Sequence, residues 1–109
     1  EPKKTGESVN SENEEIVIAG NDFSFSPSAI TVKSGQKVKI IFENRGGTSH
    51  NLVIEDLGIA TKTIGSGKTD TIEFIAPASG THSIFCSIPG HRAAGMEGAL
   101  IVENADFNF

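Results

Sequence analysis

In the run Lys37-Val38-Lys39-Ile40-Ile41-Phe42, the residues Val38, Ile40 and Phe42 fall on every second position. Successive side chains of an extended chain point to opposite faces, so this run predicts a strand with one buried face. Residues 69–75 repeat the pattern, with Thr71 and Glu73 opposite Ile72 and Phe74. Shorter runs rich in β-branched and aromatic residues occupy 16–19, 23–25, 29–32, 50–54, 62–64, 80–86 and 99–103. Between them stands turn chemistry: Ser34-Gly35, Arg45-Gly46-Gly47, Gly65-Ser66-Gly67 and Ala76-Pro77-Ala78-Ser79-Gly80. No window pairs a 3.6-residue apolar period with helix caps, and residues 54–61 predict at most a short helical turn weakened by Gly58. Seven or eight short strands of this kind predict an all-β domain, an antiparallel sandwich or small barrel.

The first fifteen residues break the pattern. They hold five Glu, two Lys and one large aliphatic side chain, Val9, and so carry three of the five net negative charges. Such a stretch cannot repay the entropy of ordering, so residues 1–14 read as a disordered acidic tail or tether. Residues 15–109 then form a single domain, as the chain's 109 residues allow. The net charge of -5 argues against nucleic acid or an anionic membrane surface as a partner. No stretch approaches the roughly 20 apolar residues of a membrane-spanning helix, so no direct membrane insertion is expected.

Scarce residues carry the chemistry. The chain has one Cys, one Met and three His. One Cys excludes an intramolecular disulfide. In Phe85-Cys86-Ser87-Ile88-Pro89-Gly90-His91-Arg92-Ala93-Ala94-Gly95-Met96 the only Cys is followed after four residues by a His, and after four more by the only Met. A second His, His50, follows the flexible Gly46-Gly47-Thr48-Ser49 turn. Thiolate and thioether are soft donors, and two imidazoles, a Cys and a weak Met are the donor set of blue-copper sites. The same residues admit other readings: Cys86 and Met96 as core filler, a Cys–His nucleophilic pair, or a structural zinc site. The first leaves the shared loop unexplained, and the other two give Met96 no role.

The segment resembles the ligand loop of the cupredoxins, the small type 1 (blue) copper proteins similar to plastocyanin, azurin and rusticyanin. The likeness runs from residue 15 to residue 103. It includes the Gly-x4-Phe-Cys strand entry, the Pro-Gly-His turn and the final strand. It implies a Greek-key β-sandwich or barrel of seven to eight strands around one copper ion. It also implies His50, Cys86 and His91 as strong ligands and Met96 as the axial one. Asn51 and Ser87 match positions that clasp the two ligand loops together in this family.

The function so implied is one-electron transport by Cu(II)/Cu(I) cycling between redox protein partners. Docking is expected through the small apolar patch of Ile88, Pro89, Ala93 and Ala94 around His91. The alternative is a module that stores or delivers copper without a redox circuit. Three His cannot furnish both this site and a second His-rich centre, so no enzyme is expected. Glu97, beside Met96, is the nearby carboxylate that a red-copper variant would need, but an extended chain turns it the other way. His82 departs from the family pattern and reads as a packed structural His. Arg92 reads either as a steering charge or as a solvated surface residue. Phe107 and Phe109 lie beyond the last strand, as cover for an open edge or as a partner contact. The expected setting is a monomer in the periplasm or another extracytoplasmic space, with the tail as a frayed terminus or as a linker to a membrane anchor or another domain.

Overall fold

The computed structural model describes residues 13–105. They form nine strands: β1 (Asn13–Asn21), β2 (Ser24–Ser26), β3 (Ala29–Lys33), β4 (Lys37–Asn44), β5 (Val53–Ile54), β6 (Ile59–Ala60), β7 (Thr69–Ile75), β8 (Gly80–Phe85) and β9 (Glu97–Glu103). One sheet has the order β2-β1-β4-β7 and the other β3-β9-β8-β5-β6. The all-β sandwich is therefore as expected. β1 starts two residues before the expected domain start, because Asn13 and Glu14 pair with Lys37 and Val38. The remainder of the expected tail, and Phe107 and Phe109, lie outside the described residues.

The strictly antiparallel arrangement was not found. β1 runs parallel to β4, and β3 parallel to β9. After the β1–β2 hairpin the chain crosses to the second sheet as β3, then returns as β4 beside β1 in the same direction. Apolar alternation specifies which face of a strand is buried, not the direction of its neighbour.

The alternation itself holds. Val38, Ile40 and Phe42 are fully buried in β4 and share one core with Ile18, Ile30, Val32, Ile72, Leu100 and Val102. At Gly20 an added Cβ would lie 2.6 Å from Phe42 Cε1 and 3.3 Å from Met96 Cε, so a bare backbone lets the sheet close over both. The expected turn near 54–61 is the 3-10 helix Glu55–Leu57, closed by Gly58 at φ 66. The expected strands at 50–54 and 62–64 shrink to β5 and to a single bridge between His50 and Ile64. Thr61 takes over there: its hydroxyl accepts from Leu52 N at 3.0 Å, and its own amide donates to Leu52 O at 2.9 Å.

Candidate metal centre

β8 ends at Phe85, and Cys86 follows with its side chain in the core, 1% exposed. The chain then folds back on itself. His91 N donates to Ile88 O at 3.0 Å, and Met96 N donates to His91 O at 3.0 Å. Cys86 N reaches Met96 O at 3.2 Å, so both ends of the loop are joined directly. Gly90 and Gly95, at φ 87 and 120, take the left-handed turns this reversal needs. His91 is thereby held at the centre of the loop, half-buried.

His50 comes from the loop after β4 and is fully buried. Its Nδ1 lies 3.1 Å from Nδ1 of His91 and 3.9 Å from Cys86 Sγ, while His91 Nδ1 is 3.6 Å from the same sulfur. His50, Cys86 and His91 each bring a donor within 4.8 Å of the others. Donors about 2.0–2.3 Å from one ion stand about 3–4 Å apart from each other, so these separations fit a single metal ion. A thiolate with two imidazoles selects a soft or borderline ion, copper or zinc, over Mg²⁺ or Ca²⁺.

A family model described as a cupredoxin-like domain matches residues 3–102. The chain belongs to the cupredoxin-like family. Curated relatives of this cupredoxin include a plastocyanin of Rumex obtusifolius, 31% identical over 82% of this chain and 99% of the relative. A plastocyanin of Sambucus nigra is 34% identical over 81% of this chain and 98% of the relative. Auracyanin-A of Chloroflexus aurantiacus is 28% identical over 81% of this chain and 72% of the relative. Among solved structures, an auracyanin from Roseiflexus castenholzii superposes with a TM-score of 0.74 at 28% identity, covering 82% of this chain and 96% of that one.

The other expected positions of the cupredoxin fall as follows. Met96 is fully buried, and its backbone is bonded to both Cys86 and His91. Asn51 and Ser87 are joined twice: Asn51 Nδ2 donates to Ser87 Oγ and Ser87 N donates to Asn51 Oδ1, both at 2.8 Å. Pro89, Ala93 and Ala94 are exposed, and Ile88 is half-buried against the core. Arg92 donates to Glu97 at 2.8 Å and stacks 4.1 Å above the Phe85 ring, so both charges are engaged at the surface. His82 is paired with Asp56 at 3.0 Å and joins no cluster of three metal donors among the described residues.

Two contacts at the site were not anticipated. Asp22 Oδ1 lies 2.9 Å from His50 Nε2 and accepts from the Thr48 hydroxyl at 3.1 Å. His50, the amides of Gly47 and Thr48, and that hydroxyl hold the Asp22 carboxyl down to about 2 from an ordinary 3.8. The Phe23 ring packs T-shaped against His91, with centroids 5.0 Å apart. Asp22 stands 28 positions before His50, and in sequence Phe23 reads only as part of a short strand.

Proposed function

We propose that this cupredoxin is a type 1 copper protein that carries one electron between redox protein partners. The observation that carries this reading is the convergence of His50 Nδ1, Cys86 Sγ and His91 Nδ1 on one point inside a closed β-sandwich. His50, Cys86 and His91 act as the strong ligands and Met96 as the weak axial one. The burial of Met96 and its backbone bonds to both neighbouring ligands support that role. Bound copper supplies a one-electron Cu(II)/Cu(I) couple.

The chain's own residues do the rest. Cys86 contributes a thiolate, since a coordinating thiol is deprotonated. The Asn51–Ser87 clasp ties the His50 loop to the Cys86 loop. Fixed ligand loops let one donor arrangement serve both oxidation states with little rearrangement. Burial of His50, Cys86 and Met96 excludes water. His91 is the port through which an electron passes. Ile88, Pro89, Ala93 and Ala94 surround it with apolar surface suited to a weak, transient redox encounter.

Storage or delivery of copper would require incoming ligands to reach the ion. Of the four proposed ligands only His91 is partly exposed, which favours electron exchange over metal exchange. The reading also includes a monomer in the periplasm or another extracytoplasmic space, with the acidic residues that precede β1 as a tether. No helix of the described residues is long and apolar enough to cross a membrane.

Voltammetry of the copper-loaded full chain tests the carrier role. A reversible one-electron wave with copper retained through repeated cycles is expected. Loss of copper to an apo-acceptor on each reduction would favour delivery and contradict the carrier reading.

A further inference from the structure

β1 and β2 join through a two-residue turn, Asp22-Phe23, with Asn21 paired to Ser24. Phe23 sits at φ 72, a left-handed conformation that Gly or Asn ordinarily takes. A bulky residue held there marks a position that the surrounding structure requires. What this turn presents is a carboxylate on one imidazole and an aromatic ring on the other.

The Asp22 carboxylate is anchored as well as aimed. Gly47 N donates to both of its oxygens, at 3.1 and 3.0 Å, and Thr48 N donates to Oδ1 at 3.3 Å. The loop that carries these amides is itself fixed by buried Asn44. Its Oδ1 accepts from Gly46 N at 2.9 Å, and its Nδ2 donates to Thr48 O and Ile64 O, each at 2.9 Å. At Gly46 an added Cβ would run into Asp22 Oδ1 and lie 2.9 Å from His50 Nε2. The missing side chain of Gly46 is the space in which Asp22 and His50 meet.

A neutral imidazole has one N–H, and an ionised carboxylate only accepts. The Asp22 contact therefore places the proton on Nε2 and leaves the Nδ1 lone pair facing Cys86 and His91. A carboxylate behind a metal-binding His fixes its tautomer and raises its basicity. Its negative charge also favours the more positive oxidation state of the ion.

We propose that Asp22 is a positioning residue for the copper centre, fixing His50 as the Nε2–H tautomer and lowering the reduction potential. The tautomer half stands on the hydrogen-bond geometry of Asp22 and His50, and the potential half rests on the copper reading above.

The test uses the full chain as wild type, Asp22→Asn, Asp22→Ala and Gly46→Ala. In ¹⁵N–¹H NMR of the metal-free wild type, His50 is expected as a single Nε2–H tautomer. Asp22→Asn keeps that tautomer, since the amide oxygen still accepts, whereas Asp22→Ala and Gly46→Ala yield a mixture. With copper bound, all three variants raise the potential. For Asp22→Asn the preference for Cu(II) over Cu(I) falls about tenfold, or about 59 mV for one electron. Gly46→Ala raises it without altering the chain's charge, which separates the contact from net charge. A wild-type His50 protonated on Nδ1 overturns the inference. So does a thiolate band that persists with an unmoved potential in both Asp22 variants, while the copper reading survives. A wild-type protein that forms no thiolate band overturns the copper reading and the potential half with it.

Discussion

At the scale of single residues, Met96 and Phe23 have opposite characters. Met96 is fully buried and bonded through its backbone to the loop that holds Cys86 and His91. Met96→Leu keeps the volume but removes the thioether that the proposed site would use to stabilise Cu(II). The colour should persist while the potential rises, as visible absorption and voltammetry would record. An unmoved potential would remove Met96 from the ligand set. Phe23 is 41% exposed and conformationally costly. Its left-handed backbone costs roughly 1–2 kcal/mol, and its ring contacts return about 0.5–1.5 kcal/mol. Phe23→Gly should therefore shift urea stability by no more than about 1 kcal/mol. Exchange of the His91 Cε1 proton with solvent should quicken all the same, because the ring beside it is gone. Unchanged exchange would mean that Phe23 shields nothing.

At the scale of elements, the Asn51–Ser87 clasp joins two loops that share no strand ladder at that point. Asn51 is 7% exposed, and both of its bonds cross from the His50 loop to the Cys86 loop. Asn51→Ala removes both and leaves Ser87 N short of a partner. It should cost about 1–3 kcal/mol in chemical denaturation of the metal-free protein and speed copper release. β4 is the strand on which the core closes. Phe42→Ala should cost about 3–5 kcal/mol in the same measurement, against a surface-sized effect if Phe42 were not in the core. The sequence already showed both features. Alternation marked Val38, Ile40 and Phe42, and Asn51 and Ser87 stood at the positions that the family resemblance implied. It did not show the parallel pairing of β1 with β4, because a period-two pattern carries no strand direction. Nor did it show Asp22 and Phe23 at the site. Their roles depend on a hairpin turn being laid over a loop more than twenty residues away, and a turn residue looks the same wherever it lands. His50 was legible as a candidate metal donor but not as the lone bridge residue it is, since Thr61 captures the backbone of Leu52 and shortens the strand.

At the scale of the whole molecule, the site gathers three separate chain segments: the β1–β2 turn, the loop after β4 and the loop after β8. Metal that binds this folded arrangement and not the unfolded chain must stabilise the fold, by about 2.7 kcal/mol at a hundredfold excess over the dissociation constant. The melting temperature should rise with added copper in the wild type and stay flat in Cys86→Ser. A flat response in both would mean that no site assembled on folding. The scarcity of Cys, Met and His gives this architecture its resolution. Among the described residues a single cluster of three metal donors exists, and every ligand variant acts on it. The most direct measurement is therefore the visible absorption and EPR spectrum of the full chain on addition of one equivalent of Cu(II). An intense thiolate-to-copper band in the wild type, with a small copper hyperfine splitting, is the expected result, together with loss of that band in Cys86→Ser. A colourless protein with the EPR signal of ordinary tetragonal copper would contradict the account.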